Sequence, residues 1–365
     1  MADRSGVAGE RKSLFGADAG PALAMGGPAF FLLLLFLIGP FFAGIAFSFT
    51  NQRLVSPDPT EFVGLRNYSR LLRFSVLRLE PLVDEETGEL MRDEEGGLEY
   101  PRSREFTRDE ENYPRLTGLT EWFNIHIRQK RYVILAGDPA FIKALVHNFY
   151  FALVIIPLQS AVGLILALAV NQKMAGRNYF RTIYFSPVVT SMVVISIVWT
   201  FLYDANNGLI NAFLADFGIE AVNWLGNPTT AMPAIMIMSI WQGCGLQMML
   251  FLAGLQSIPD SLYEAASIDG ANAWEEFRFI TLPGLRSTMI FNFITITIAA
   301  FQLFTQPFVM TGGGPNESTT TVILRMRTEG FREQRIGYAS AIAVVFFLII
   351  LAINLVQRYV LREEE

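Results

Sequence analysis

Apolar residues along this chain gather into six long blocks separated by polar connections, at residues 24–50, 145–170, 182–203, 231–255, 287–306 and 338–360. Each block approaches or exceeds the roughly 20 residues that an α-helix needs to cross a ~30 Å hydrocarbon core. The pattern predicts an all-α membrane protein with six transmembrane helices. The first block follows a short charged leader, residues 1–23, that carries Arg4, Arg11 and Lys12. It is longer than the apolar core of a signal peptide, so it reads as a retained span. Pro40, Pro157, Pro187, Pro233 and Pro307 lie in or beside the blocks. Buried membrane helices tolerate proline because neighbouring groups satisfy the freed carbonyls, and the simplest reading is a set of packing kinks. Gly243, Gly245 and Gly254 are placed to let helix backbones approach closely.

The polar connections set a direction. The connection between blocks 2 and 3 carries Lys173, Arg177 and Arg181 without an acid, and short basic loops stay on the cytoplasmic side. Six spans then place the leader 1–23, the tail 361–365 and the connection 256–285 in the cytoplasm. Arg325, Arg327, Arg332 and Arg335 resist this, because they precede the last span on the opposite side, and Glu329 and Glu333 offset only part of their charge. The connection 51–144 is long and holds half of the acids, in runs such as Asp84-Glu85-Glu86, Asp93-Glu94-Glu95 and Asp109-Glu110-Glu111. Leu82-Val83-Asp84 and Glu89-Leu90-Met91 flank Glu86-Thr87-Gly88, which suggests a hairpin. Trp122, Phe123, Tyr132, Val133, Ile134 and Leu135 are candidates for a small core. The expectation is a partly folded extracytoplasmic insertion with an acidic stretch; a solvated linker is the alternative.

Composition narrows the function. The 365 residues are 52% hydrophobic and only 17% charged, with a net charge of −6 and one cysteine, Cys244. That is leaner in charge than a soluble domain, gives no electrostatic footprint for nucleic acid and excludes a disulfide framework within the chain. His126 and His147 lack metal-ligand spacing. There is no Gly-Lys pair, so no phosphate-binding loop of the Gly-x-x-x-x-Gly-Lys-Ser/Thr type, and no Gly-x-Ser-x-Gly elbow. Apart from Asp204 at the end of block 3, the blocks hold no acid, whereas ion-coupled carriers keep ionisable groups within their spans. These absences point to a non-catalytic translocation channel driven by a separate subunit.

Residues 254–285 carry the most specific pattern. Pro259-Asp260-Ser261 starts a helix, Leu262 to Ile268 continues it with a small flat face at Ala265-Ala266, and Gly270 ends it. A second short helix is expected from Trp274 to Phe279, stopping at Pro283. A short helix with alanines and one acid, held between two spans, suits insertion into a partner's cleft.

Glu264-Ala265-Ala266, then Gly270, then Ile280-Thr281-Leu282-Pro283 resembles the EAA loop of binding-protein-dependent ATP-binding-cassette importers. Asp269 and Ala271 flank the glycine as in carbohydrate permeases similar to the maltose and glycerol-phosphate systems. Further likenesses are Phe62-Val63-Gly64-Leu65-Arg66-Asn67-Tyr68, Phe180-Arg181-Thr182 with Ser186-Pro187, and Gly208-Leu209-Ile210-Asn211. Thr311-Gly312-Gly313-Gly314-Pro315, Thr319-Thr320-Thr321 and Gly337-Tyr338-Ala339-Ser340-Ala341 complete them. The resemblance leaves out residues 74–138. It implies the type I importer permease fold in the cell inner membrane, with residues 145–360 as the core permease domain. It also implies a second permease, a dimer of ATPase subunits that bind ATP and magnesium, and an extracytoplasmic sugar-binding protein. No cofactor is expected in this chain itself. Glu264 would meet a basic group on the ATPase, and Ala265, Ala266 and Gly270 would be buried in its cleft. By family position, Gln242, Gly243 and Leu246 on one helical face, with Ala300, Gln302, Leu303 and Gln306, are candidates for the substrate path. Ala300 and Leu303 stand where polar-site members carry asparagines, so the partner permease is expected to hold most of the site. The cargo is a sugar or sugar derivative; a polyol, a glycoside or a glycerol-phosphate-like solute is the alternative, and an ion-coupled carrier is a further one.

Overall fold

The computed structural model describes residues 19–57, 59–84, 89–92, 96–172 and 176–360. Arg4, Arg11, Lys12, the Glu86-Thr87-Gly88 turn, Asp93-Glu94-Glu95, Lys173 and residues 361–365 lie outside the described residues. Among the described residues, five helices are long and apolar enough to cross a membrane: Ala24–Ser48, Pro139–Asn171, Ala231–Gln256, Arg286–Met310 and Ile336–Val360. A bent pair, Arg177–Val189 with Met192–Leu202, would make a sixth span. These are numbered spans 1 to 6 in chain order, the bent pair being span 3.

Spans 2, 3 and 5 depart from the expected blocks. Span 2 begins six residues earlier than the apolar block, because Asp138 caps it by accepting the Phe141 N–H at 2.9 Å and Pro139 takes the first turn. Span 3 is not one straight helix over 182–203. It starts at Arg177 and bends by 100° where Thr190 adopts an extended conformation, φ −78° and ψ 142°. Pro187 lacks the N–H that would bond the Ile183 carbonyl; the neighbouring Ser186 hydroxyl donates to that carbonyl at 2.9 Å instead. Span 5 also breaks, between Arg286–Phe301 and Thr305–Met310.

The spans close around small residues. A Cβ at Gly243 would overlap the Gln159 amide of span 2, one at Gly245 the Tyr184 carbonyl of span 3, and one at Gly254 the Thr288 side chain of span 5. Span 4 therefore packs directly on three neighbours. Ala152, Ile155, Ala234, Ile235, Met238, Ile296 and Phe301 are among the residues of the larger core between spans 2, 4 and 5. A second cluster, with Val170, Phe251, Leu255, Ile258 and Leu285, closes the end from which residues 257–285 project.

Three of the four arginines before span 6, Arg325, Arg327 and Arg335, have partners within the chain. Glu329 is 2% exposed and accepts Arg325 at 2.6 Å and Arg335 at 3.3 Å. Arg325 also reaches Asp138 at 3.4 Å, and the Tyr338 hydroxyl donates to the same carboxylate at 2.6 Å. Arg70 stacks over the Tyr338 ring at 4.7 Å, and Arg327 over Phe308 at 4.4 Å. Buried charges persist only when paired and hydrogen-bonded, and this chain of contacts ties spans 2 and 6 to the segment Val322–Arg332.

The insertion is a small antiparallel sheet, β1 (Phe74–Leu79), β2 (Thr120–Ile127) and β3 (Lys130–Ala136), in the order β1-β3-β2. Val83 pairs with Leu90, as the expected hairpin requires. Two of the six expected core residues are in the buried cluster. Strand alternation buries Val133 and Leu135 with Leu77, Leu79 and Leu119, while Tyr132 and Ile134 face the other side and Trp122 and Phe123 are exposed. Burial opposes ionisation of Glu121, but hydrogen bonds from Ser103 and Asn124 and the Arg131 guanidinium hold its carboxyl below the usual range.

Candidate functional site

Residues 257–285 build a rigid projection from short-range rules. The helix Asp260–Ile268 starts after the extended Pro259 and makes no side-chain cap bond at that end. Its other end is strongly specified. Gly270 takes φ +84°, the Ala271 N–H donates to the Ala266 carbonyl at 2.9 Å, and the Gly270 N–H to the Ser267 carbonyl at 3.2 Å. This is the paired closure of a left-handed helix terminus. Asn272 then opens the second helix with a capping box: its side chain accepts the Glu275 N–H at 3.1 Å, and the Glu275 carboxylate accepts the Asn272 N–H at 2.7 Å. That box was not read from the sequence, although Asn-x-x-Glu is its signature. The second helix runs Ala273–Glu276 and does not stop at Pro283. It passes through a π-turn, Phe277–Thr281, and Leu282–Gly284 into span 5. Proline is acceptable there because it sits in the first turn of the segment it begins.

Tyr263 and Ile258 fasten this projection to the bundle end. The Tyr263 hydroxyl lies 3.0 Å from Thr281 Oγ1, and Ile258 packs in the cluster with Leu255 and Leu285. Ile280 also packs on that cluster and Thr281 is buried, while most of the remaining residues face outward. Glu264, Ala265, Asp269, Gly270 and Pro283 are exposed, Ala266 and Ala271 half-buried. Leu262, Ile268, Trp274 and Phe279 are 50, 86, 67 and 71% exposed. Uncovered apolar area of this kind makes the projection a candidate interaction surface.

At the far side of the same two spans lies a cavity of about 310 Å³. Gln242 and Ser239 of span 4, Ala300, Gln302, Leu303 and Gln306 around the span 5 break, and Gln159 of span 2 are among the residues that line it. Five of the seven sequence candidates therefore meet. Ala300 and Leu303 are almost fully buried and form its apolar floor. Gly243 and Leu246 do not line it. Gly243 is seated against Gln159, and Leu246 lies one helical turn farther toward the projection. Gln159 was missed because it sits within an apolar block, two residues after Pro157; a lone amide in such a run is the available signal. The lining includes no charged side chain. His147 Nδ1 lies 2.9 Å from the Thr320 carbonyl, and His126 packs against Tyr100. Among the described residues, no group of three or more His, Cys, Asp or Glu could hold a metal ion.

Known proteins resemble this chain in sequence and in fold. The chain is 38% identical to a probable ABC transporter permease protein, YurN, of Bacillus subtilis over 232 residues, 62% of this chain and 80% of that protein. It is 37% identical to the trehalose/maltose transport system permease protein MalF of Thermococcus litoralis, covering 56% of this chain and 70% of that one. It is 36% identical to the lactose transport system permease protein LacF of Rhizobium radiobacter, covering 64% and 80%. In fold it matches a chain of a bacterial ABC transporter involved in the import of the acidic polysaccharide alginate, with a TM-score of 0.57 at 23% identity, over 62% of this chain and 80% of that chain. The family model described as binding-protein-dependent transport system inner membrane component matches residues 159–363. This chain, with its apolar helices long enough to cross a membrane, belongs to that family of inner-membrane transport components.

Proposed function

We propose that this chain is the permease subunit of an ATP-binding-cassette importer for a sugar or sugar derivative. One observation carries the reading: spans 4 and 5 both line the cavity and are joined by the projection beyond it. A force on Asp260–Ile268 reaches the cavity walls without passing through a flexible loop. In this reading the projection inserts into an ATPase subunit, with Glu264 meeting a basic side chain and Ala265, Ala266, Asp269, Gly270 and Ala271 against the cleft. ATP and magnesium belong to that ATPase dimer. The projection and both termini lie in the cytoplasm, and the insertion lies outside.

The cavity favours a neutral cargo. Amides and hydroxyls from Gln159, Ser239, Gln242, Gln302, Thr305 and Gln306 can bond hydroxyls, and Phe151 and Met192 offer apolar surface. A phosphorylated solute would call for arginines, which the lining lacks. The names of the relatives, trehalose/maltose and lactose permeases, agree with a sugar. A second permease completes the path, and a solute-binding protein delivers the cargo.

Glu264→Lys tests the docking assignment. The variant permease should reach the membrane in normal amount but lose both the co-purifying ATPase and sugar uptake. Wild-type uptake should survive collapse of the proton gradient and cease on ATP depletion. Full uptake by Glu264→Lys, with normal assembly, would sink the docking role.

A further inference from the structure

The span 5 break frees backbone carbonyls, and the structure shows where they go. In a continuous helix the Leu303 carbonyl would bond the N–H of residue 307, but that residue is Pro307 and has none. The Thr321 hydroxyl donates to this carbonyl instead, at 2.8 Å. The Phe301 carbonyl accepts the Asn148 amide at 3.2 Å, and Asn148 Oδ1 accepts the Val322 N–H at 2.9 Å. Only one orientation of the Asn148 amide serves both bonds. Thr321 also accepts the Leu324 N–H at 3.4 Å, so it caps Val322–Arg327 while holding Leu303. Asn148 and Thr321 are both 0% exposed. Between the two held carbonyls lies the peptide that carries Gln302, a wall of the cavity.

We propose that Asn148 and Thr321 are positioning residues for the cavity: by taking the two freed carbonyls they fix the peptide 301–303 and so place Gln302 and Leu303, without lining the cavity themselves. A role in transport rests on the cavity being the substrate path, as argued above, and the experiment separates the two statements.

In native membranes, with Cys244→Ser as background, a cysteine is introduced at Gln302 or, as a control, at Gln242. Its rate of modification by a small maleimide is then measured. Thr321→Val removes the hydroxyl at nearly constant shape. It should change the rate at position 302 by about fivefold, the scale of one buried hydrogen bond, and leave position 242 unchanged. Thr321→Ser should restore the wild-type rate. If Thr321→Val does not accumulate, Asn148→Asp, which keeps the acceptor for Val322 and loses the donor to Phe301, takes its place in the comparison. Unchanged rates at 302, or equal changes at 302 and 242, would overturn the proposal. The path is tested apart from this: Gln302→Ala and Gln242→Ala should impair sugar uptake. Unimpaired uptake would remove the path reading while leaving the placement of peptide 301–303 to be judged by the modification rates.

Discussion

The left-handed glycine of the projection allows a substitution series in which backbone conformation and side-chain size predict different orders. Gly270 sits at φ +84°, and a Cβ built there would meet nothing within 4 Å. In this chain a larger side chain costs nothing by collision. It costs only what an L-residue pays for the left-handed region, ~1–2 kcal/mol, with asparagine paying least among non-glycine residues and β-branched residues most. That energy bears on a closure of two backbone bonds, Ala271 to Ala266 and Gly270 to Ser267. A loss of this size shifts the balance between the closed and frayed terminus by roughly 5–30-fold. The terminus is exposed, so membrane insertion of the permease should be unaffected, and the deficit should appear in coupling. ATP-dependent uptake should therefore fall in the order Gly270→Asn, Gly270→Ala, Gly270→Val, with permease abundance constant. If contact with the ATPase excluded bulk at this position, alanine would be best tolerated, and asparagine and valine would fail together. Uptake by Gly270→Ala equal to or above that of Gly270→Asn would refute the conformational reasoning.

Two further outcomes follow from contacts in the spans. Gly245→Ala places a Cβ onto the Tyr184 backbone carbonyl, which cannot move aside as a side chain would; overpacking of this kind costs ~1–3 kcal/mol. It should lower the melting temperature of the purified complex, whereas Gly26→Ala, with open space around it, should not; equal melting temperatures for the two would contradict the close packing of spans 3 and 4. Ser186→Ala should destabilise by about 1 kcal/mol by leaving the Ile183 carbonyl unbonded, and Pro187→Ala should return an N–H to that carbonyl. In the double variant the loss of the Ser186 hydroxyl should then cost almost nothing, so that a thermal-unfolding cycle gives a coupling near 1 kcal/mol; additive effects would show that Ser186 does not answer Pro187.

The apolar blocks and the helix end at Gly270 were legible because each depends on residues close together in the chain. Gly270 ends its helix by a rule that acts within one turn; Asp138 and Pro139 start span 2 by a rule of the same kind, which the apolar pattern alone did not reveal. The arginines before span 6 show why a loop-charge count is incomplete: it counts cations without their partners. Arg325 finds Asp138, 187 residues away, as well as Glu329 one turn on. The insertion's core was overcounted because a run such as Tyr132-Val133-Ile134-Leu135 looks uniformly apolar, while the strand sends alternate residues to opposite faces.

The prolines divide along the same line. Each one inside a helix poses a definite question: which group takes the carbonyl four residues back? For Pro187 the answer is its immediate neighbour Ser186, and the pair Ser-Pro can be read as proline and remedy together. For Pro307 the carbonyl belongs to Leu303 and the remedy is Thr321, on a separate segment that only the folded chain brings near. The sequence thus allows the kink in span 3 to be anticipated as a self-contained feature. The break in span 5, which shapes the cavity, depends on Thr321 and Asn148 arriving from elsewhere. A proline whose carbonyl is satisfied at a distance couples the geometry of the cavity to the packing of the segment before span 6, and that coupling is what distinguishes the span 5 break from an ordinary packing kink.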